Sequence, residues 1–207
     1  MSAFILNAYD YFKQHFPFLG TPASNMVLVA ASYSKVNLQH QQSNQEMEMQ
    51  WDSKFCLKTP LSILNYVGEK CPTLMGKNKA QVMQWAMYSL GKKFNFDLTK
   101  NSEIMQFFPI SGDGVSSSLT WVLNKKDKKA KEMLDQMEVY LKTRTFLAGE
   151  RLSLADISLA MAYLPMYQFV MDSKLRSKYP NNTRWFNTCI NQPNFLKVLG
   201  NVKLCEK

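Results

Sequence analysis

Residues 146–157 read FLAGERLSLADI, and this segment carries the strongest structural signal in the chain. Ser153 is followed three residues later by Asp156, which is the spacing of a capping box: the hydroxyl accepts from the Asp156 amide and the carboxylate accepts from the Ser153 amide. Leu152 and Ile157 are placed to form the hydrophobic staple at the same helix start. A catalytic acid is the alternative interpretation of Asp156, but its place in a capping box favours a structural role. The segment therefore predicts a helix that begins after Ser153.

From about Lys77 to Lys207 the apolar residues recur with the period of a helix. Two stripes lie at this spacing: Val82, Trp85, Ala86 and Ser89 in the first, and Met133, Met137, Tyr140, Leu141 and Arg144 in the second. Met and aromatic side chains at helical spacing are more often core than cofactor contacts. We therefore predict an all-helical domain over residues 77–207, with a long loop or broken helix over residues 101–118.

The first 72 residues contain shorter segments of mixed type, and a short linker follows them at about residues 71–79. The segments predict a strand at Phe16–Gly20, a helix at Pro22–Ser34, a strand at Val36–Gln42, a hairpin of Met47–Trp51 and Phe55–Lys58, and a closing helix at Pro60–Val67. This β-α-β and β-β-α order is the layout of a thioredoxin-like domain, so we predict that fold for residues 1–72. Residues 1–15 do not fit the layout and are either an extension or an alternative first strand.

Charge and the rare residue types limit the classes of function. The 25 Lys and Arg residues exceed the 16 Asp and Glu residues, and the net charge of +9 favours acidic partners. Residues 124–131, NKKDKKAK, are the densest cluster, which we interpret as a solvated helix start because no aromatic residues are interleaved for nucleic-acid binding. With two His and four Cys in no C-x-x-C pair, we predict no metal site and no dithiol redox site. No apolar run reaches the roughly 20 residues of a membrane-spanning helix, so we expect a cytoplasmic protein without membrane contact.

Three segments carry a resemblance to a known family. The stretch GERLSLADI, residues 149–157, resembles the capping motif in the core helix of glutathione-transferase carboxy-terminal domains. YLKTRTFL at residues 140–147 and NTRWFNTCINQPNF at residues 182–195 closely resemble the elongation factor 1 gamma family, and the ending at residues 198–207 is similar too. The resemblance implies a thioredoxin-like domain followed by a transferase-type helical bundle, as one module of a longer protein. Pro165 departs from the family pattern and should kink its helix.

The same resemblance allows the glutathione site to be checked. Transferases hold glutathione with a hydroxyl or thiol after the first strand, a cis-proline before the third, and an acidic-or-Gln/Ser pair after the fourth. Thr59 and Pro60 stand where the pair belongs and Met47 where the cis-proline belongs, which implies that the site is lost. Thr21 and Ser24 remain candidates for the hydroxyl, although helix capping explains Thr21 equally well. We therefore expect no bound cofactor and no catalytic residue beyond these two candidates.

The resemblance also implies a role. Elongation factor 1 gamma subunits organise the guanine-nucleotide exchange complex of translation elongation, so we expect a non-catalytic scaffold that binds the exchange-factor subunit, with a homodimer and weak RNA or tRNA contact as further partners. One alternative is an active glutathione transferase, because some members of the gamma family are reported to retain that activity. Another is a tRNA- or synthetase-binding module, which the basic charge would suit.

Overall fold

The computed structural model describes residues 4–9, 22–34, 36, 38–43, 48–51, 55–57, 59–90 and 128–206. Within these ranges the backbone alone is described for residues 4–9, 22–24, 38–43, 48–51, 55–56, 90, 128–130 and 169. The predicted strand at Phe16–Gly20 and the predicted loop over residues 101–118 lie outside the described residues.

The first half of the chain folds around a mixed four-stranded sheet of order β2-β1-β3-β4. Its strands are β1 (Phe4–Tyr9), β2 (Leu38–Ser43), β3 (Glu48–Trp51) and β4 (Phe55–Leu57). Strand β1 runs parallel to β2 and antiparallel to β3, and β3 is antiparallel to β4. Because parallel strands need a crossover connection, helix α1 (Pro22–Ser34) lies between β1 and β2, and helix α2 (Pro60–Glu69) follows the sheet. This is the predicted thioredoxin-like arrangement.

The predictions for individual elements fare differently. The helix at Pro22–Ser34 is confirmed at both ends, and the predicted hairpin is confirmed as the pair β3 and β4. The choice of Phe16–Gly20 as first strand is wrong, because β1 at Phe4–Tyr9 holds that position between β2 and β3. The alternative first strand within residues 1–15 is therefore confirmed. The physical reason lies in the pairing, since β1 is hydrogen-bonded to β2 on one side and to β3 on the other.

The second half is a helical bundle, as predicted. Its helices are α3 (Pro72–Met75), α4 (Lys79–Leu90), α5 (Lys128–Leu141), α6 (Leu154–Phe169), α7 (Ser173–Lys178), α8 (Pro180–Ile190) and α9 (Pro193–Leu199). Among the residues that the structure describes, no helix is both long enough and apolar enough to cross a membrane.

Helix α6 lies at the centre of one hydrophobic core. Nearly all of its described side chains are buried, and it packs against α1 of the first half and α4 of the second. The predicted buried run Met26–Ala31 on α1 belongs to this core, except that Leu28 is partly buried and packs against it. Leu74 and Met75 of α3, at the predicted linker, belong to the core as well. The core-facing members of both predicted stripes are buried: Val82, Ala86, Met133, Met137 and Leu141. Since α6 contacts both halves, its position determines how they pack.

Pro165 lies inside α6, as the sequence requires. A proline has no N–H to donate to the carbonyl four residues earlier, which is that of Met161. The kink expected at this point stays a prediction.

The Asp156 carboxylate fixes the start of α6. It is fully buried and forms the capping box with Ser153, whose amide and hydroxyl donate to Oδ2 at 2.9 and 2.8 Å. Its Oδ1 accepts from the Leu147 amide and from the Trp185 indole Nε1, both at 2.9 Å. Burial raises the pKa of Asp156, while these hydrogen bonds act in the opposite direction. One carboxylate thus ties together the loop before α6, the first turn of α6 and helix α8.

We predict that Asp156→Ala lowers the free energy of unfolding by about 3–5 kcal/mol, because it leaves buried donors of Leu147, Ser153 and Trp185 without an acceptor. Asp156→Asn should cost nearly as much, since its amide nitrogen places a donor where the carboxylate accepted one. Urea unfolding followed by circular dichroism measures both losses.

Asp172→Ala is the matched control. Asp172 also caps a helix, α7, but its carboxylate accepts from the Leu175 amide at a half-buried position. Loss of this cap should cost about 0.5–2 kcal/mol. Equal losses in the two Ala variants would contradict the assignment of Asp156 as the central hydrogen-bond acceptor of the helical half. If the Asp156→Ala variant were fully stable but no longer bound a partner, Asp156 would instead be a binding-site residue.

Candidate functional site

Thr59 and Pro60, predicted to stand at the position of the glutathione-binding pair, form the start of α2. The Thr59 hydroxyl accepts from the Ser62 amide at 3.2 Å and lies 2.7 Å from the Ser62 hydroxyl, and Pro60 is the first helical residue. Proline is favoured there because its missing N–H is not needed in the first turn. The Thr59 hydroxyl is therefore engaged as a helix cap, and Pro60 offers no backbone donor to a ligand.

The other predicted positions of that site are less fully defined. Thr21 and Met47 lie outside the described residues. Ser24 lies in the first turn of α1, where the backbone alone is described. The described residues therefore assign a local role to Thr59 and Pro60, and the proposed roles of Thr21, Ser24 and Met47 stay predictions.

Glu138 on α5 caps helix α8 from the side. Tyr179, at the cap position of α8, makes no side-chain capping bond, and Pro180 is the first helical residue. The Glu138 carboxylate instead accepts from both the backbone amide and the side-chain amide of Asn181, at 2.9 and 2.6 Å. It accepts from the same two groups of Asn182 at 3.0 Å each. A negative charge at a helix amino terminus also complements the helix dipole.

The carboxyl end of α5 is capped in return by a side chain of α8. Arg184 donates from Nη2 to the carbonyls of Leu141 and Arg144 at 2.8 and 2.9 Å, and so adds a charged donor at the helix end. Arg144 donates from Nη1 to the carbonyl of Tyr140 at 3.2 Å, and its guanidinium carbon lies 4.2 Å from the centre of the Tyr140 ring. Each of the two helices α5 and α8 therefore supplies a charged side chain to an end of the other.

Two observations bear on metal binding and on thiol chemistry in the described part of the chain. Among the described residues, no three His, Cys, Asp or Glu side chains lie close enough to hold a metal ion. Burial first, and then the nearby Asp156 carboxylate, raise the pKa of the Cys189 thiol well above its usual range. A buried thiol of this kind stays protonated and is not a nucleophile.

Sequence reasoning missed Glu138, Arg184 and the Trp185 indole. Glu138 and Asn181 are 43 residues apart, and Trp185 and Asp156 are 29 residues apart, so no local spacing connects them. One signal was present: Pro180 starts a helix without a Ser, Thr, Asp or Asn before it, and such a helix needs a cap from elsewhere.

Comparison with known proteins agrees with this architecture. Residues 80–193 match the family model described as "Glutathione S-transferase, C-terminal domain". Human elongation factor 1-gamma is 36% identical over 157 residues, which cover 75% of this chain and 34% of that protein. The chain thus spans about a third of the length of such relatives.

Solved structures show the same fold. The GST-like domain of elongation factor 1-gamma from Saccharomyces cerevisiae superposes with a TM-score of 0.73 and 17% identity, covering 100% of this chain and 97% of that one. Poplar glutathione transferase F1 gives a TM-score of 0.66 and 21% identity over 96% of this chain and 97% of that one. At these identities the likeness establishes the fold alone. The family model and the fold together place the chain in the glutathione S-transferase C-terminal domain family, and its resemblance to elongation factor 1-gamma is confirmed.

Proposed function

We propose that this chain is the transferase-like module of an elongation factor 1 gamma subunit, and that it is a non-catalytic scaffold in the cytoplasm. The observation that carries the proposal is the 36% identity to human elongation factor 1-gamma over 75% of the chain. In this role the module binds the exchange-factor subunit of the elongation factor 1 complex and so takes part in translation elongation. The role requires no cofactor.

The start of α2 supports the non-catalytic part of the proposal. A transferase needs groups at this position that fix the γ-glutamyl end of glutathione, whereas Thr59 caps its own helix and Pro60 lacks an N–H. The transferase fold itself does not require enzyme activity, because folds are shared among unrelated functions. With the glutathione groups replaced, the cleft and flanks of the thioredoxin-like half become available as a docking face.

The direct test mixes the purified chain with the purified exchange-factor subunit and measures the mass of the eluted species by light scattering during size-exclusion chromatography. A complex with a mass equal to the sum of the two partners supports the scaffold role. Poplar glutathione transferase F1, which has the same fold, is the matched control and should elute alone. Failure to form a complex, combined with capture of synthetases or tRNA from a cytosolic extract, would favour the appended-module alternative.

We predict that the purified chain neither binds immobilised glutathione nor conjugates it to a standard electrophile, because the positions of Thr59, Pro60 and Met47 lack the groups that hold the tripeptide. Isothermal titration calorimetry with glutathione measures the affinity, and poplar glutathione transferase F1 is the positive control. Binding at micromolar concentrations would overturn this prediction and favour the active-transferase alternative.

The lysine cluster that precedes and begins α5 generates a kinetic prediction. Replacing Lys125, Lys126, Lys128 and Lys129 with Gln should slow association with an acidic partner by about 3- to 10-fold at low salt, because charges at the rim of an interface steer the encounter. The dissociation rate should be nearly unchanged, and RNA binding should be weak and non-specific. Surface plasmon resonance at two ionic strengths measures both rates. A large rise in the dissociation rate would instead place these lysines inside the interface.

A further inference from the structure

Three cationic residues lie at or beside the carboxyl end of α5. Arg144 and Arg184 both donate to backbone carbonyls at this helix end, and Lys142 is the first residue after the helix, in the turn that follows. All three residues are exposed. We refer to Lys142, Arg144 and Arg184 as the α5-end site.

The two guanidinium groups are held in fixed positions. Arg144 stacks on Tyr140, and Tyr140 is itself fixed because its hydroxyl donates to the Leu147 carbonyl at 2.7 Å and its ring centre lies 5.3 Å from that of Trp85. Arg184 is anchored by its two carbonyl bonds. Long cationic side chains usually lose rotamer freedom when they bind a ligand, and side chains fixed in advance lose less. The geometry therefore favours ligand binding at this site.

The α5-end site also keeps unused binding capacity. In the described part of the chain, an ion pair joins Lys79 to Glu69. No carboxylate in that part forms an ion pair with Lys142, Arg144 or Arg184. Arg144 donates through Nη1 and Arg184 through Nη2, while each guanidinium carries five N–H donors in all. Arg144 therefore keeps its Nε–H and Nη2–H pair, which matches the two oxygens of a carboxylate, while Arg184 keeps Nε–H and Nη1–H donors for single hydrogen bonds.

We propose that the α5-end site docks an acidic segment of a partner protein, whose Asp or Glu carboxylates bind Arg144 and Arg184 while Lys142 adds a third positive charge. The net charge of +9 complements such a segment. A single-stranded RNA would also need an aromatic face on which its bases stack, and Arg144 already covers one face of the Tyr140 ring. The site adds to the scaffold role proposed above, because it lies in the helical half and is separate from the docking face of the thioredoxin-like half.

The test uses the full chain and two fluorescein-labelled probes, a deca-glutamate peptide and a ten-nucleotide oligouridylate, in fluorescence anisotropy at low and physiological salt. Arg144→Gln should raise the Kd for the peptide about tenfold, and Arg144→Lys, which keeps the charge but loses the planar fork, about threefold. Lys197→Gln on α9 removes one exposed charge elsewhere and should change the Kd less than about twofold. Carbodiimide cross-linking followed by peptide mapping should place the peptide on Lys142.

The other outcomes overturn the proposal. Equal losses in Arg144→Gln and Lys197→Gln would show that the peptide senses the overall charge and not a site. A greater loss of oligouridylate binding than of peptide binding would identify a phosphate site. If the Arg144→Gln variant has a lower melting temperature, its weaker peptide binding could reflect a loss of folding. The test then relies on the threefold rise in Kd of the charge-retaining Arg144→Lys variant and on the cross-link to Lys142. If neither is observed, the site is rejected. These outcomes are independent of whether the exchange-factor subunit binds.

Discussion

The buried carboxylate of Asp156 is the constraint on which the helical half depends. It accepts from the backbone of Leu147 and Ser153, the Ser153 hydroxyl and the Trp185 indole. A charged group in a dry interior is tolerated only when its oxygens are satisfied by donors. The four donors come from three separate parts of the chain, so their correct assembly around one carboxylate sets the position of α6. Both α1 and α4 in turn pack against that helix.

Local sequence patterns predicted most of the helices and strands. Contacts between residues far apart in the sequence could not be predicted from such patterns. The cap at Ser153 and the helix at Pro22–Ser34 follow from residues within a few positions of one another, so spacing was sufficient. The first strand was misplaced because two short apolar segments compete before α1, and pairing with β2 and β3 decides between them. The capping of α8 by Glu138 joins residues 43 positions apart, and only the packed structure brings them together.

At the candidate site, too, some features were predicted from the sequence and others are visible only in the structure. Resemblance alone directed attention to Thr59 and Pro60, and the structure adds what they do instead: they begin α2 with a satisfied cap. At this helix start the Ser62 amide donates to the Thr59 hydroxyl and the Ile63 amide to the Thr59 carbonyl. Arg144 was recognised in the sequence as a member of a helical stripe, but α5 ends at Leu141 and Arg144 lies in the exposed turn that follows. Its stacking on Tyr140 depends on that helix end.

The connection between the two halves is packed into the common core. Leu74 and Met75 of α3 are buried in the common core, and a methyl group added to Gly68 would lie 2.7 Å from the sulfur of Met75. Such close packing at the crossing of α2 and α3 leaves little room for the halves to rotate against each other. The module is therefore suited to act as a rigid spacer. Two proteins bound to its opposite halves would be held at a constant distance and orientation, set by the core rather than by their own contacts.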